Sequence, residues 1–222
     1  MKRYSFVRSN AGDMGIGAMI VFIAMVLVAG IAASVLIQTA NKLEIRAMTT
    51  GQMTTKEVST GLYVVGITGK VTTGKIADMA ISIRPRAGSS AIDLNQTIVE
   101  MTDGVTKVVL SYNMHNVWNF NLTPNATNGN LFLTNHWNET NAQFGIIVID
   151  DADSSMGTVK PVASPVINQG DLVIITVNTQ ACFSGFSPRT NVWGQVVVEN
   201  GAPGIFAFRV PATLSKTVYD LY

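Results

Sequence analysis

The sequence predicts an α+β chain: one long apolar α-helix at the N-terminus, then an antiparallel β-sandwich or barrel. Three observations carry that prediction. Gly15–Ile37 runs without a charge or a proline. Beyond it, apolar side chains recur at helical spacing toward Ser59. From Leu62 onward the pattern changes to short runs rich in Val, Ile and aromatics, separated by Gly, Pro, Asn and Asp. The expected organisation is therefore a leader over residues 1–12, a helix over 13–60 and a β-domain over 61–222.

Composition narrows the function classes. The chain has 222 residues, of which 47% are apolar and 13% charged. A β-domain of that length can bury its own core, and a chain so poor in charge is not of the disordered class. With 15 Lys and Arg against 14 Asp and Glu, no basic excess exists to hold phosphates, so nucleic acid is not an expected partner. Cys182 is the single cysteine, which leaves no intrachain disulfide and no cysteine pair for zinc; it reads as a small buried hydrophobe.

The N-terminus has three parts. "MKRYSFVRSNAG" carries Lys2, Arg3 and Arg8 and no acid. A basic segment ahead of an apolar one suggests a secretory signal, but such signals have shorter apolar cores of about 7–15 residues with a cleavage site behind them. The 23 residues Gly15–Ile37 make a helix of about 35 Å, enough to cross a bilayer core. Ile16, Ile20, Phe22, Ile23, Val26 and Leu27 point apolar surface in every direction, so the surroundings must be lipid or like helices. Ala29 and Ala33, and Gly30 and Ser34, lie four apart and permit close helix approach. Further on, Leu36, Ala40, Leu43 and Ala47 form a single stripe, with Lys42, Glu44 and Arg46 off it. A lone anchor does not need that stripe.

Gly12 followed by "DMGIGAMIVFIAMVLVAGIAASVLIQTA" resembles the N-terminus of the archaellins, the archaeal flagellins of the type IV pilin superfamily. The resemblance implies a leader cut by a membrane peptidase between Gly12 and Asp13, with Gly15 at the third mature position. It implies insertion in the cytoplasmic membrane before assembly, then an extracellular motility filament with the helices bundled in its core. Its partners would be copies of this chain or paralogous archaellins, the leader peptidase and a membrane motor platform. Gly17, where bacterial pilins carry glutamate, favours an archaellin. The physics agrees: losing the leader removes the charges that hold the N-terminus at the cytoplasmic surface, and Asp13 suits the positive end of the new helix.

In the β-region, "LYVVGIT", "IADMAISI", "TKVVLSYN", "FGIIVID", "DLVIITVNT", "VWGQVVVEN" and "GIFAFRVP" predict strands of an Ig-like sandwich or barrel. "SSAIDLNQTIVEM" suits a strand better than a helical turn. "ENGAPGIFAFRVP" again resembles the archaellins, which often close with such a turn and strand. Asn-x-Ser/Thr sequons stand at Asn95, Asn121, Asn125 and Asn138; the last three crowd one polar stretch and are candidate glycan sites on an outer loop. Asp150, Asp151 and Asp153 are three carboxylates after a strand, candidate oxygen ligands for a structural calcium ion. No other cofactor is expected. His115 and His136 stand among asparagines and aromatics without a partner pattern, and no nucleophile or phosphate-loop motif occurs. Trp118, Trp137 and Trp193 suit the core or subunit contacts. The rivals to a motility filament subunit are an adhesive pilus subunit and a membrane-anchored binding domain that never assembles.

Overall fold

The computed structural model describes residues 11–119, 130–132, 137, 142–151, 153–156 and 164–222. It divides into two units at Met53/Thr54. The first is helical and belongs to α1 (Ala11–Ser59). The helix is unbroken because no proline occurs in it and because its hydroxyls turn back on their own backbone. Thr39 Oγ1 donates to Leu36 O at 2.9 Å and Thr49 Oγ1 to Ile45 O at 2.7 Å, so these polar atoms need no water.

The second unit begins with the last turn of α1 and holds the sheet. Its strands are β1 (Leu62–Thr72), β2 (Lys75–Pro85), β3 (Ile92–Asp93), β4 (Ile98–Thr102), β5 (Lys107–Asn119), β6 (Gln143–Asp150), β7 (Val166–Ile167), β8 (Leu172–Asn178), β9 (Asn191–Val197), β10 (Gly204–Arg209) and β11 (Val218–Asp220). A short helix α2 (Thr179–Phe183) follows β8. Nine strands form one sheet in the order β10-β9-β4-β5-β6-β8-β2-β1-β11, with β3 and β7 paired separately. The sheet curls until its ends meet: Gly61 bridges Ala202, and a Cβ on Gly204 would stand 3.2 Å from Val64 Cγ2.

The β-domain thus takes the barrel form of the expectation, in one continuous sheet. Its pairing is antiparallel except for β5 and β6, which run parallel. A parallel neighbour cannot be joined by a hairpin. In "SSAIDLNQTIVEM" the single expected strand is split. Asp93 Oδ1 accepts the Asn95 N–H at 2.8 Å, a 3-10 turn spans Leu94–Gln96, and β4 starts after it.

Phe144, Phe186, Phe206, Leu62, Ile67 and Ile81 are fully buried in the main core. A smaller cluster of Ala80, Phe132, Trp137, Ile147 and Ile174 covers the opposite face of β2, β6 and β8. Phe132 and Trp137 stack there with ring centroids 5.0 Å apart. That second cover explains why "FGIIVID" and "LVIITVN" are apolar without alternation. At β10 burial alternates strictly, so one face of that strand meets solvent.

Candidate functional site

The feature with the largest unmet physical demand is the surface of α1. Every large apolar side chain from Met14 to Ile37 is more than half exposed, among them Ile16, Ile20, Phe22, Ile23, Val26, Leu27 and Leu36. Ala29, Gly30 and Ala33 are exposed too, and a Cβ on Gly15, Gly17 or Gly30 would meet nothing within 4 Å. The helix is long and apolar enough to cross a membrane. It offers dispersion contact on all sides and small residues where a second helix can approach closely.

Where the chain enters the β-domain it is tied tightly. Ala202 N–H donates to Thr60 O at 2.9 Å and Leu62 N–H to Ala202 O at 3.1 Å. Arg86 N–H reaches Gly61 O at 2.9 Å, and the Thr60 and Ser90 hydroxyls lie 2.9 Å apart. Gly201, at φ +111°, passes so close that a Cβ would overlap the Thr60 carbonyl. The motif "ENGAPG" therefore clamps the foot of the helix to the start of β10.

The acidic residues divide. Asp151, Asp153 and Asp171 bring carboxylate oxygens within 4.8 Å of one another, whereas Asp150 ends β6 exposed. The sequence stretch around Asp150 therefore misses one member and includes one that stands aside. Asp171 lies in another turn, and only the register of β6 on β8, Asp150 opposite Leu172, brings it in. No local spacing announces that. Asp171 is buried; burial, with the charges of Asp151, Asp153 and Asp150, holds its carboxyl above the usual range. Hydrogen bonds from Ser155, and a further one from Asn168, pull Asp153 below it. The Ser155 and Met156 amides donate to Asp151 at 3.2 Å, and the Asn168 amide donates to Asp171 at 2.8 Å. Among the described residues the ion pairs are Lys70–Asp78 and Lys107–Glu100, so neither brings a cation to this cluster. An all-oxygen, net negative donor set fits a hard divalent cation such as calcium.

Comparison with known proteins resolves what this architecture is. The family model for archaeal-type flagellin matches residues 12–208. The chain belongs to the archaeal-type flagellin family. It is 43% identical to flagellin B2 of Methanocaldococcus jannaschii over 98% of this chain and 97% of that one. It is 39% identical to flagellin B1 of Methanococcus voltae over 97% of each. In structure it resembles the crystal structure of archaeal flagellin FlaB1 from Methanocaldococcus jannaschii, with TM-score 0.62 and 31% identity over 73% of this chain and 96% of that one. The fold also matches the archaeal flagellum of Methanospirillum hungatei, with TM-score 0.62 and 14% identity over 92% of this chain and 98% of that one. As a flagellin the chain is a structural subunit of the extracellular archaeal motility filament.

In this flagellin the sequons fare differently. Asn121, Asn125 and Asn138 lie outside the described residues, as does the leader before Ala11, and His136 with them. Asn95 is exposed on the turn after β3, but its Thr97 is buried and donates its hydroxyl to Asp93 O at 3.2 Å. Trp137 is buried and Trp193 is half-exposed on the outer face of β9. His115 is exposed.

Proposed function

We propose that the working subunit is the chain from Asp13 onward, freed of its leader by a membrane peptidase. Its helix passes from the cytoplasmic membrane into the filament core without meeting water. The observation that carries this is the bare apolar surface of α1. Fifteen large side chains between Met14 and Ile37 are uncovered, and at about 1.5–3 kcal/mol each their exposure to water costs tens of kcal/mol. Exchanging lipid for neighbouring helices costs little, because lipid tails and packed side chains are similarly apolar. Ile16, Ile20, Phe22, Ile23, Val26, Leu27 and Leu36 are the packing residues, with Ala29, Gly30 and Ala33 at the close approaches. The subunit's role is mechanical rather than catalytic, and torque is supplied by a separate membrane motor.

The β-domain forms the shell. Asp151, Asp153 and Asp171 would hold a calcium ion that ties the end of β6 to the turn before β8 and neutralises their mutual repulsion. Asn121, Asn125 and Asn138 are the sites for N-glycans; Asn95 is the weaker acceptor, since its sequon threonine is buried in a hydrogen-bonded turn. Mass spectrometry of sheared, washed filaments tests the central claim. An N-terminus at Asp13 supports it; subunits still beginning at Met1 within intact filaments would refute it.

A further inference from the structure

The clamp motif "ENGAPG" carries a reactive pair. Asn200 is exposed, and Gly201 follows it directly. Among the described residues nothing hydrogen-bonds to the Asn200 side chain, and the Gly201 N–H has no acceptor. The next amide in the clamp, Ala202 N–H, is by contrast held by Thr60 O at 2.9 Å. Glycine adds no side chain to screen its own nitrogen. A carboxamide carbon and an unengaged main-chain nitrogen are therefore neighbours. Asp103–Gly104, in the turn from β4 to β5, has the same spacing with both groups occupied. Asp103 Oδ1 accepts Val105 N–H at 2.9 Å and Thr106 N–H at 2.7 Å, and Gly104 N–H donates to Thr102 Oγ1 at 3.2 Å. Asn128–Gly129, the other Asn-Gly pair of the sequence, lies outside the described residues.

We propose that Asn200 is a site of spontaneous deamidation, and that this modification loosens the clamp at the foot of the helix. The Gly201 nitrogen loses its proton to water and attacks Asn200 Cγ. The Cγ–N bond closes a five-membered imide, the Cγ–Nδ2 bond breaks, and Nδ2 leaves as ammonia with a proton from water. Water then opens the ring at either carbonyl, giving aspartate or isoaspartate; nothing is oxidised or reduced. Closing the ring swings the exposed Asn200 side chain and leaves Gly201 Cα against Thr60. The isoaspartyl product is different, because it lengthens the main chain by one methylene just before Gly201. Gly201 lies at φ +111° with no room for even a Cβ beside the Thr60 carbonyl. A chain displaced there gives up the bonds from Ala202 N–H to Thr60 O and from Leu62 N–H to Ala202 O.

The test holds detergent-dispersed subunits at mildly alkaline pH, native and in concentrated urea, and follows each site by peptide mass spectrometry and isoaspartyl methyltransferase labelling. Asn200 is expected to convert in native subunits as readily as in urea, whereas Asp103 isomerises only in urea. Calorimetry of the aged native sample should show a second transition about 4–8 °C below the first, from two lost backbone hydrogen bonds in a domain of this size. Asn200→Gln, whose ring would be six-membered and closes far more slowly, should keep a single transition through the same incubation. Asn200 intact in native subunits but converted in urea overturns the proposal, as does native isomerisation of Asp103 at the rate of Asn200. A converted sample that melts in one unshifted transition, or a low transition that also appears in Asn200→Gln, overturns the link to the clamp.

Discussion

Gly201→Ala isolates the clamp at the foot of the helix. Gly201 sits at φ +111°, where an L-residue costs about 1–2 kcal/mol. Its new Cβ would also fall on the Thr60 carbonyl, 2.6 Å from the carbon and 3.0 Å from Thr60 Cβ. Thr60 is buried and cannot yield without releasing Ala202 N–H to Thr60 O and Leu62 N–H to Ala202 O. Two backbone hydrogen bonds at about 1 kcal/mol each add about 2 kcal/mol. Gly170→Ala supplies the control: its φ is +109°, but its Cβ would meet open space, so it carries the conformational cost alone. At about 2–4 °C per kcal/mol for a domain of this size, Gly201→Ala should melt about 4–8 °C below Gly170→Ala. Near-ultraviolet circular dichroism of detergent-dispersed subunits reads this directly, since all three tryptophans lie in the β-region. Equal melting temperatures for the two variants would refute the clamp.

Other outcomes follow from the same structure. Ala33→Leu, on an exposed helix position, should abolish or shorten filaments while leaving the β-domain's melting temperature unchanged; normal filaments would count against helix bundling. Chelation of calcium should lower the β-domain's melting temperature by several degrees and added calcium restore it, the effect of removing a ligand held well above its dissociation constant; Asp171→Asn should erase the difference. Hydrogen bonds from Lys107 and Gln195 hold Glu100 below its ordinary value of 4.5. A depressed folded value stabilises above pH 4.5 and fades as pH falls through it. Lys107→Gln should therefore destabilise the domain slightly at pH 6 and not at pH 3, as paired denaturation curves would show.

Much of this was legible in sequence because it is local. A charge-free run specifies a helix that needs an apolar environment, and alternation or a solid apolar run marks each main strand. What was not legible depends on distant partners. The pairing of β5 with β6 in parallel leaves no mark in either strand. Asp171 joins Asp151 and Asp153 only through the β6–β8 register. The turn at Leu94–Gln96 hangs on one carboxylate, Asp93, accepting an amide two residues on, a choice that strand propensity outweighs on paper. Trp193 and Trp137 look alike in sequence; the cluster around Phe132 buries one, and among the described residues no comparable cluster covers the other.

The parallel pairing has a further consequence, for how such a surface can vary over generations. The chain leaves β5 at Asn119, opposite Val148, and re-enters as β6 with Gln143 opposite Ser111, a return of five residues of β6, about 17 Å along the sheet. Such a connection must be far longer than a two-residue hairpin, and doubling the length of a loop costs only about 0.6 kcal/mol. Insertions around Asn121, Asn125 and Asn138, outside the buried Phe132 and Trp137, can therefore accumulate without shifting a rung of the ladder. The face shown to the outside can diverge while the frame beneath it, and the helix that joins it to its neighbours, stays unchanged.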